Sequence, residues 1–486
     1  MGKFRPLGAI RLALTFNCEK IIDMKLGSRY SFSVIFFLTV LAGCQKFLDE
    51  KTNSKLIVPE ELRDLQALLD EYSLVNQSGI GAMEACSDDY YLSESDFQGL
   101  NTNLQHLYIW GDLAFPAGTN DWSRTYDNVY IANTVLDHLS EIARTEENKA
   151  EWDNIKGQAL FLRAKCFLQA LLTWSVAYDA STAENDWGIP LRLTSDMTVP
   201  TQRASVAESY NQIIADLEEA IDLLENDALH VLRASKAAAF SMLARTYLSM
   251  RDYDKCFEYS NKALAIKNDL LDYNLNPPLN PGANFPFNNI SLLYNNPEII
   301  YASRMSTPSL LGNTRAKIDS TLYDSYEAND LRRVVFLKPN SGASAGTFGF
   351  KGSYDGSANL FDGLATDEVF LMRAECYARK DMILEAMNDL NTLMIKRWKD
   401  DGSWVPFDAT NPDEALEKVL NERRKELLMR GLRWMDIKRL NKEGRGITIE
   451  RKLGGNTYKL VPNDPKYALP IPGDVISLAG IPQNSR

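Results

Sequence analysis

Three short segments repeat one pattern: Leu162-Arg-Ala-Lys-Cys-Phe167, Leu243-Ala-Arg-Thr-Tyr247 and Met372-Arg-Ala-Glu-Cys-Tyr377. Ala164, Ala244 and Ala374 each stand three residues before an aromatic side chain. A small residue lets two helices approach closely, and an aromatic one turn later fills the space beside the crossing. After the second and third copies a short turn leads into a new apolar pattern, Arg251-Asp-Tyr-Asp-Lys-Cys256 and Lys380-Asp-Met-Ile-Leu-Glu-Ala386. Cys256 and Ala386 take the same small slot, nine residues past the aromatic. Such repetition predicts antiparallel helix pairs of the tetratricopeptide (TPR) type. The copies are unevenly spaced. The expectation is a mainly α, irregular helical-pair scaffold with long loop insertions and minor β, not a uniform solenoid. The same slots make Cys166, Cys256 and Cys376 small buried apolar side chains.

Apolar periodicity extends the helical reading along the chain. Leu62, Leu65, Leu68 and Leu69 give a helix opened near Pro59 one apolar face. Further helices are predicted over 121–142, 151–177, 205–225, 233–250, 253–266, 366–380 and 382–398. The last long pattern, 412–440, has Asn411 to cap it, Pro412 at its first turn and Gly431 to break it. Between the helices lie two insertions of different character. Residues 270–300 are rich in Asn, Pro and aromatics, and 338–364 in Gly and Ser. The second lacks both GxxxxGK[ST] and GxGxxG, so it reads as a strand-turn-strand loop and not a phosphate cradle.

Several function classes drop out. Lys and Arg number 53 against 65 Asp and Glu, a net charge of −12. No basic run interleaved with aromatics offsets this, so nucleic acid is excluded as a partner. His106, His138 and His230 are the only histidines, none at ligand spacing from another His or a Cys. Neither a zinc centre nor a His-based triad is expected, and no cofactor is implied. The six cysteines include no CxxC and are widely spaced, which is neither a disulfide framework nor a zinc ribbon.

The run Phe32-Ser-Val-Ile-Phe-Phe-Leu-Thr-Val-Leu-Ala-Gly-Cys44 follows Lys25 and Arg29. A basic start, a short apolar stretch and a small-residue end make a secretory signal. The run is too short to span a bilayer, which needs about 20 apolar residues. Its end, Leu41-Ala42-Gly43-Cys44, looks like a bacterial lipobox. In that class the chain is cut before the cysteine, which is then acylated, so Cys44 is the expected lipid anchor. Met24 would start a compact signal, leaving 1–23 as an odd leader. Removal of 1–43 leaves 443 residues with a net charge of −16.

Several segments in order resemble the SusD/RagB-like outer-membrane lipoproteins. They are Cys44 with Phe47-Leu48-Asp49 and Leu65-Gln66-Ala67-Leu68-Leu69; Trp122-Ser-Arg-Thr-Tyr126, Tyr130-Ile-Ala-Asn133 and Gln158-Ala-Leu-Phe-Leu-Arg-Ala164; and Asn296-Pro-Glu298-Ile-Ile-Tyr301. The most specific is Asn421-Glu-Arg-Arg-Lys-Glu-Leu-Leu-Met-Arg-Gly-Leu-Arg-Trp434-Met-Asp436-Ile-Lys-Arg439, followed by Leu469-Pro-Ile-Pro472 and Pro482-Gln-Asn484. The chain departs from the family pattern at Ser175-Val-Ala-Tyr178, with Gly188-Ile-Pro190 arriving after an insertion. The resemblance implies a TPR-containing α fold anchored by lipid at the surface of the outer membrane. It implies no enzyme, but a lid that captures an oligosaccharide, sometimes a peptide, and passes it to a SusC-like TonB-dependent transporter. The expected organisation is signal 1–43, an N-terminal region 44–270 with TPR helices, a loop-rich insertion 271–364 carrying the candidate ligand face, and C-terminal helices and tail 365–486.

Sugar recognition needs flat rings for pyranose CH groups and planar polar side chains for hydroxyls. Two segments supply both. Residues 88–110 offer Tyr90, Tyr91, Tyr108 and Trp110, the last two sharing a face if the segment is a strand. Residues 273–304 offer Phe287, Tyr294 and Arg304. Trp122, Trp174 and Trp434 lie on helical faces and are expected in the core. The alternating charges Glu422, Arg423, Arg424, Glu426, Arg433 and Asp436 are expected to be a salt-bridge network, since arginines hold carboxylates ionised and deny them acid–base work. Two competing functions remain: a lipidated TPR scaffold that only organises other proteins, and a lipid-anchored glycoside hydrolase using two carboxylates.

Overall fold

The computed structural model describes residues 59 and 61–486, apart from 114, 116–117, 276–278, 288–295 and 353. Pro59–Arg486 form one compact unit. The signal, Cys44 and Tyr294 lie outside the described residues.

Ten helices of eight residues or more carry the scaffold among the described residues: α1 (Leu62–Leu69), α2 (Asp121–Leu139), α3 (Lys149–Trp174), α4 (Val206–Leu223), α5 (Lys236–Met250), α6 (Tyr253–Ile266), α7 (Thr366–Arg379), α8 (Ile383–Met394), α9 (Pro412–Glu426) and α10 (Arg433–Lys442). Their starts follow the local chemistry. Asn120 and Ser205 close capping boxes on α2 and α4, and the Asn411 side chain accepts from Glu414 N at 2.9 Å ahead of Pro412. The first helix begins at Leu62 with Glu61 as its cap, three residues past Pro59. The repeats land on α3, α5 and α7. The second and third copies turn into α6 and α8 through left-handed residues, Arg251 at φ 64° and Asp381 at φ 60°.

The strands form five two-stranded antiparallel ladders among the described residues. Ile299–Tyr301 pairs with Leu364–Ala365, closing the base of the second half of the insertion region. Leu337–Pro339 pairs with Phe348–Phe350, as the Gly/Ser-rich composition predicts.

The central post is α3, buried on every side from Gly157 to Trp174. Its buried charged and amide side chains find partners inside the protein. Arg163 forks onto Asp216 at 2.7 and 2.8 Å, Lys165 donates to Ser303 Oγ at 2.8 Å, and Gln169 to Asp362 at 2.8 Å. The C-terminal carbonyls of α3 are met by distant segments. Lys438 donates to Leu172 O and Ser175 O, Leu469 N to Thr173 O, and both Arg203 and Asn484 to Trp174 O.

The charges of α9 and α10 do form a buried network, wider than its sequence neighbours suggest. Arg332 forks onto Asp330 and reaches Glu422 and Glu426; Arg397 bridges Glu426 and Glu298 at 2.8 and 2.6 Å; Arg439 grips Glu375 and Asp436. Burial pushes Glu298 up to about 7. Against the same upward push of burial, Arg430 and Arg397 hold Asp367 below the usual carboxylate range. Breaking one partner of such a pair leaves a buried charge alone, typically at a cost of about 3–5 kcal/mol.

Candidate functional site

Beyond α1 and a short helical turn, Tyr72–Val75, residues 76–79 run as a strip against 304–306. Arg304 N donates to Asn76 O at 2.7 Å, Gly79 N to Arg304 O at 3.0 Å, and Ser306 N to Gly79 O at 2.8 Å. The approach is so close that a Cβ on Gly79 would stand 1.6 Å from an Asp362 oxygen. Asp121, first residue of α2, pins the strip from the other side. Its carboxylate accepts from Ala82 N at 3.0 Å and Ser306 Oγ at 2.6 Å. Asn128, two turns on, donates to Ser78 Oγ at 2.7 Å.

Three separated pieces of sequence are thereby joined into the floor of a cleft of about 580 Å³. Its walls present Gln77, Arg124, Asp127, Asn128, Arg304 and Asn359. Arg124 and Asp127 are exposed, one turn apart on α2. Partial desolvation by the cleft raises the Asp127 carboxyl. Arg304 is fixed from two sides: it pairs with the buried Asp355, and its guanidinium lies 5.3 Å from the centre of the Tyr72 ring. The arrangement offers donors and acceptors of both signs on a rigid floor, which suits a ligand carrying many hydroxyls.

Of the expected binding residues that are described, only Arg304 reaches this cleft. Tyr90, Tyr108, Trp110 and Phe287 are core, not platforms. Trp110 is 2 % exposed, and its Nε1 donates to Cys86 O at 3.2 Å. The Tyr108 hydroxyl accepts from Leu92 N at 2.8 Å, and that of Tyr90 donates to Ala85 O at 2.7 Å. Arg451 lies over all three rings, at 5.0, 4.2 and 5.4 Å for Tyr90, Tyr108 and Trp110. Phe287 packs edge-on against Tyr273 and Tyr354. Residues 102–108 form a helix, with Trp110 just beyond it, so Tyr108 and Trp110 share no strand face. Tyr91 is half-buried in a short ladder with Lys317. Trp122, Trp174 and Trp434 are buried as expected.

A second groove of about 560 Å³ lies on another face of α2. Trp122 and Tyr126 stack there with ring centres 4.7 Å apart, and Met197, Val199 and Leu478 stand exposed at its edge. Sequence reading missed Arg124 and Asp127. Their signal was the polar side of an amphipathic helix, which ordinarily means only solvent.

Comparison with known proteins places this architecture. Residues 46–248 match a family model described as starch-binding and associating with the outer membrane, and 366–480 match the SusD family itself. The chain belongs to the SusD/RagB-like family. A SusD-like protein P2 from Formosa agariphila is 24% identical, covering 92% of this chain and 96% of its own. A SusD superfamily protein from Bacteroides thetaiotaomicron superposes with a TM-score of 0.70 at 20% identity, over 87% of this chain and 100% of that one. A SusD-like carbohydrate binding protein from Bacteroides vulgatus does so with a TM-score of 0.63 at 22% identity, over 87% and 97%. These structures share the SusD-like fold. No helix among the described residues is long and apolar enough to cross a membrane.

Proposed function

We propose that this SusD-like protein is a cell-surface lipoprotein, anchored through Cys44, that captures a glycan and delivers it to a SusC-like TonB-dependent transporter. The observation that carries the reading is the cleft at Arg304, where polar side chains of both signs stand on a floor fixed by three chain segments. The family description, starch-binding and associating with the outer membrane, makes a neutral oligosaccharide the first cargo to test. Among the described residues, Asp127 is the carboxylate that the walls present, and it can accept from a glycan hydroxyl.

Calorimetric titration with maltooligosaccharides and other neutral glycans tests this directly. Arg124→Ala and Asp127→Ala should each weaken binding about tenfold while leaving the melting temperature within about 1 °C, since both side chains are exposed. Unchanged affinity in both variants would move the site elsewhere, with the Trp122–Tyr126 groove next in line. No affinity for any glycan, with proteins or peptides bound instead, would favour the adaptor or peptide-binding reading. Release of reducing sugar would reveal a hydrolase.

A further inference from the structure

The helices α6 and α7 pack antiparallel in one defined register. Asn261 accepts from Arg373 Nη1 at 3.1 Å; Phe257 meets Tyr377 edge-on with centres 4.9 Å apart; the Arg379 guanidinium lies 4.0 Å from the Tyr253 ring; and Lys380 pairs with Asp254. In this register Cys256, beside Phe257, and Cys376, beside Tyr377, sit opposite each other. Both are wholly buried. All four described thiols are free and buried, and Cys86 donates to Leu107 O at 3.6 Å. Small residues at a close helix crossing bring Cβ atoms near the separation of about 3.8 Å that a disulfide requires.

We propose that Cys256 and Cys376 are a disulfide site, oxidised as the exported chain folds. The bond would join the end of one helix pair to the start of the next. It would also clamp the stem of the inserted segment 267–365, which carries Arg304, Ser306 and Asn359 to the cleft. The chemistry balances with a low-molecular-weight disulfide as oxidant. One protein thiolate attacks oxidised glutathione and releases a glutathione thiolate. The second protein thiolate then attacks the mixed disulfide and releases another. Two S–H bonds become one S–S bond, and the two electrons and two protons end on two molecules of glutathione. The contact with Cys256, and then burial, raise the Cys376 thiol well above its ordinary value. Little thiolate exists once the helices have packed, so oxidation belongs to folding and not to the finished protein.

The test is thiol mapping by mass spectrometry on purified protein, unfolded in urea with reductant and refolded with reduced and oxidised glutathione. Free thiols are blocked before digestion. The expected product is one peptide pair linking Cys256 to Cys376, with Cys86 and Cys166 alkylated. The oxidised protein should melt about 4 °C above its reduced form, because the bond closes a loop of about 120 residues. That increment should vanish in Cys256→Ala. Alkylation of both Cys256 and Cys376, or their pairing with Cys86 or Cys166, would overturn the proposal. The surface location proposed above supplies only the oxidising surroundings. Thiol mapping and glycan titration can therefore fail independently.

Discussion

At the scale of single residues, identity without position misleads. Tyr90, Tyr108 and Trp110 have the composition of a sugar platform, yet all three surround Arg451, more than 340 positions away. Nothing local announces that a distant guanidinium will cover them. Trp110→Ala should lower stability by about 3–5 kcal/mol, the range for emptying a large buried aromatic site, and leave glycan affinity of the folded fraction unchanged. Urea unfolding alongside calorimetry reads both. Glu84 was equally silent in sequence. It is wholly buried, and burial, then Asp89, push it up to about 8 from 4.5. The folded state thus holds the proton more tightly than the unfolded chain. The associated stability is complete below pH 4.5 and is lost as pH rises towards 8. The melting temperature should fall across that window, and Glu84→Gln should flatten the fall. An equal slope in the variant would assign the pH dependence to other groups.

Elements were far more legible, because period and punctuation are local. Tyr253–Ile266 begins and ends where apolar spacing places it, and most other helix ends lie within a few residues of expectation. Gly431 separates α9 from α10 as expected, and the reason is conformational: its φ is 72°, a region costly to side chains with a Cβ. Its N–H also donates to Glu84 at 2.9 Å. A Cβ there would meet the end of the flexible Met305 side chain at 3.2 Å, which can shift. Gly431→Ala should therefore cost about 1–2 kcal/mol through backbone strain, seen as a lower urea midpoint with an unchanged slope. What sequence could not give at this scale is the 76–81 strip. It has no periodicity, and its partners at 304–306 are set by tertiary contact alone.

For the whole molecule, the ordered family segments spoke for fold more clearly than any residue spoke for site. The repeats and the α9–α10 segment constrain packing, and packing is what distant relatives keep at 20% identity. A cleft walled by exposed side chains leaves no such trace. At this scale the proposed anchor can be tested apart from the fold, because Pro59–Arg486 is compact by itself. Cys44→Ala should leave the circular dichroism spectrum helical and the melting temperature unchanged, yet shift the protein from the membrane to the soluble fraction in cells lacking the transporter. Persistence in the outer membrane there would rule out the lipid anchor.

The end of the central post sets an order of events during synthesis. Its last carbonyls wait for Lys438, Leu469 and Asn484, which the ribosome delivers more than 260 residues after the helix itself. A nascent chain cannot complete the end of this helix before its tail exists, so the last of these bonds form only after the C-terminal segment has been made. Such a protein stays unfinished for most of its manufacture, a condition that would suit the export proposed above.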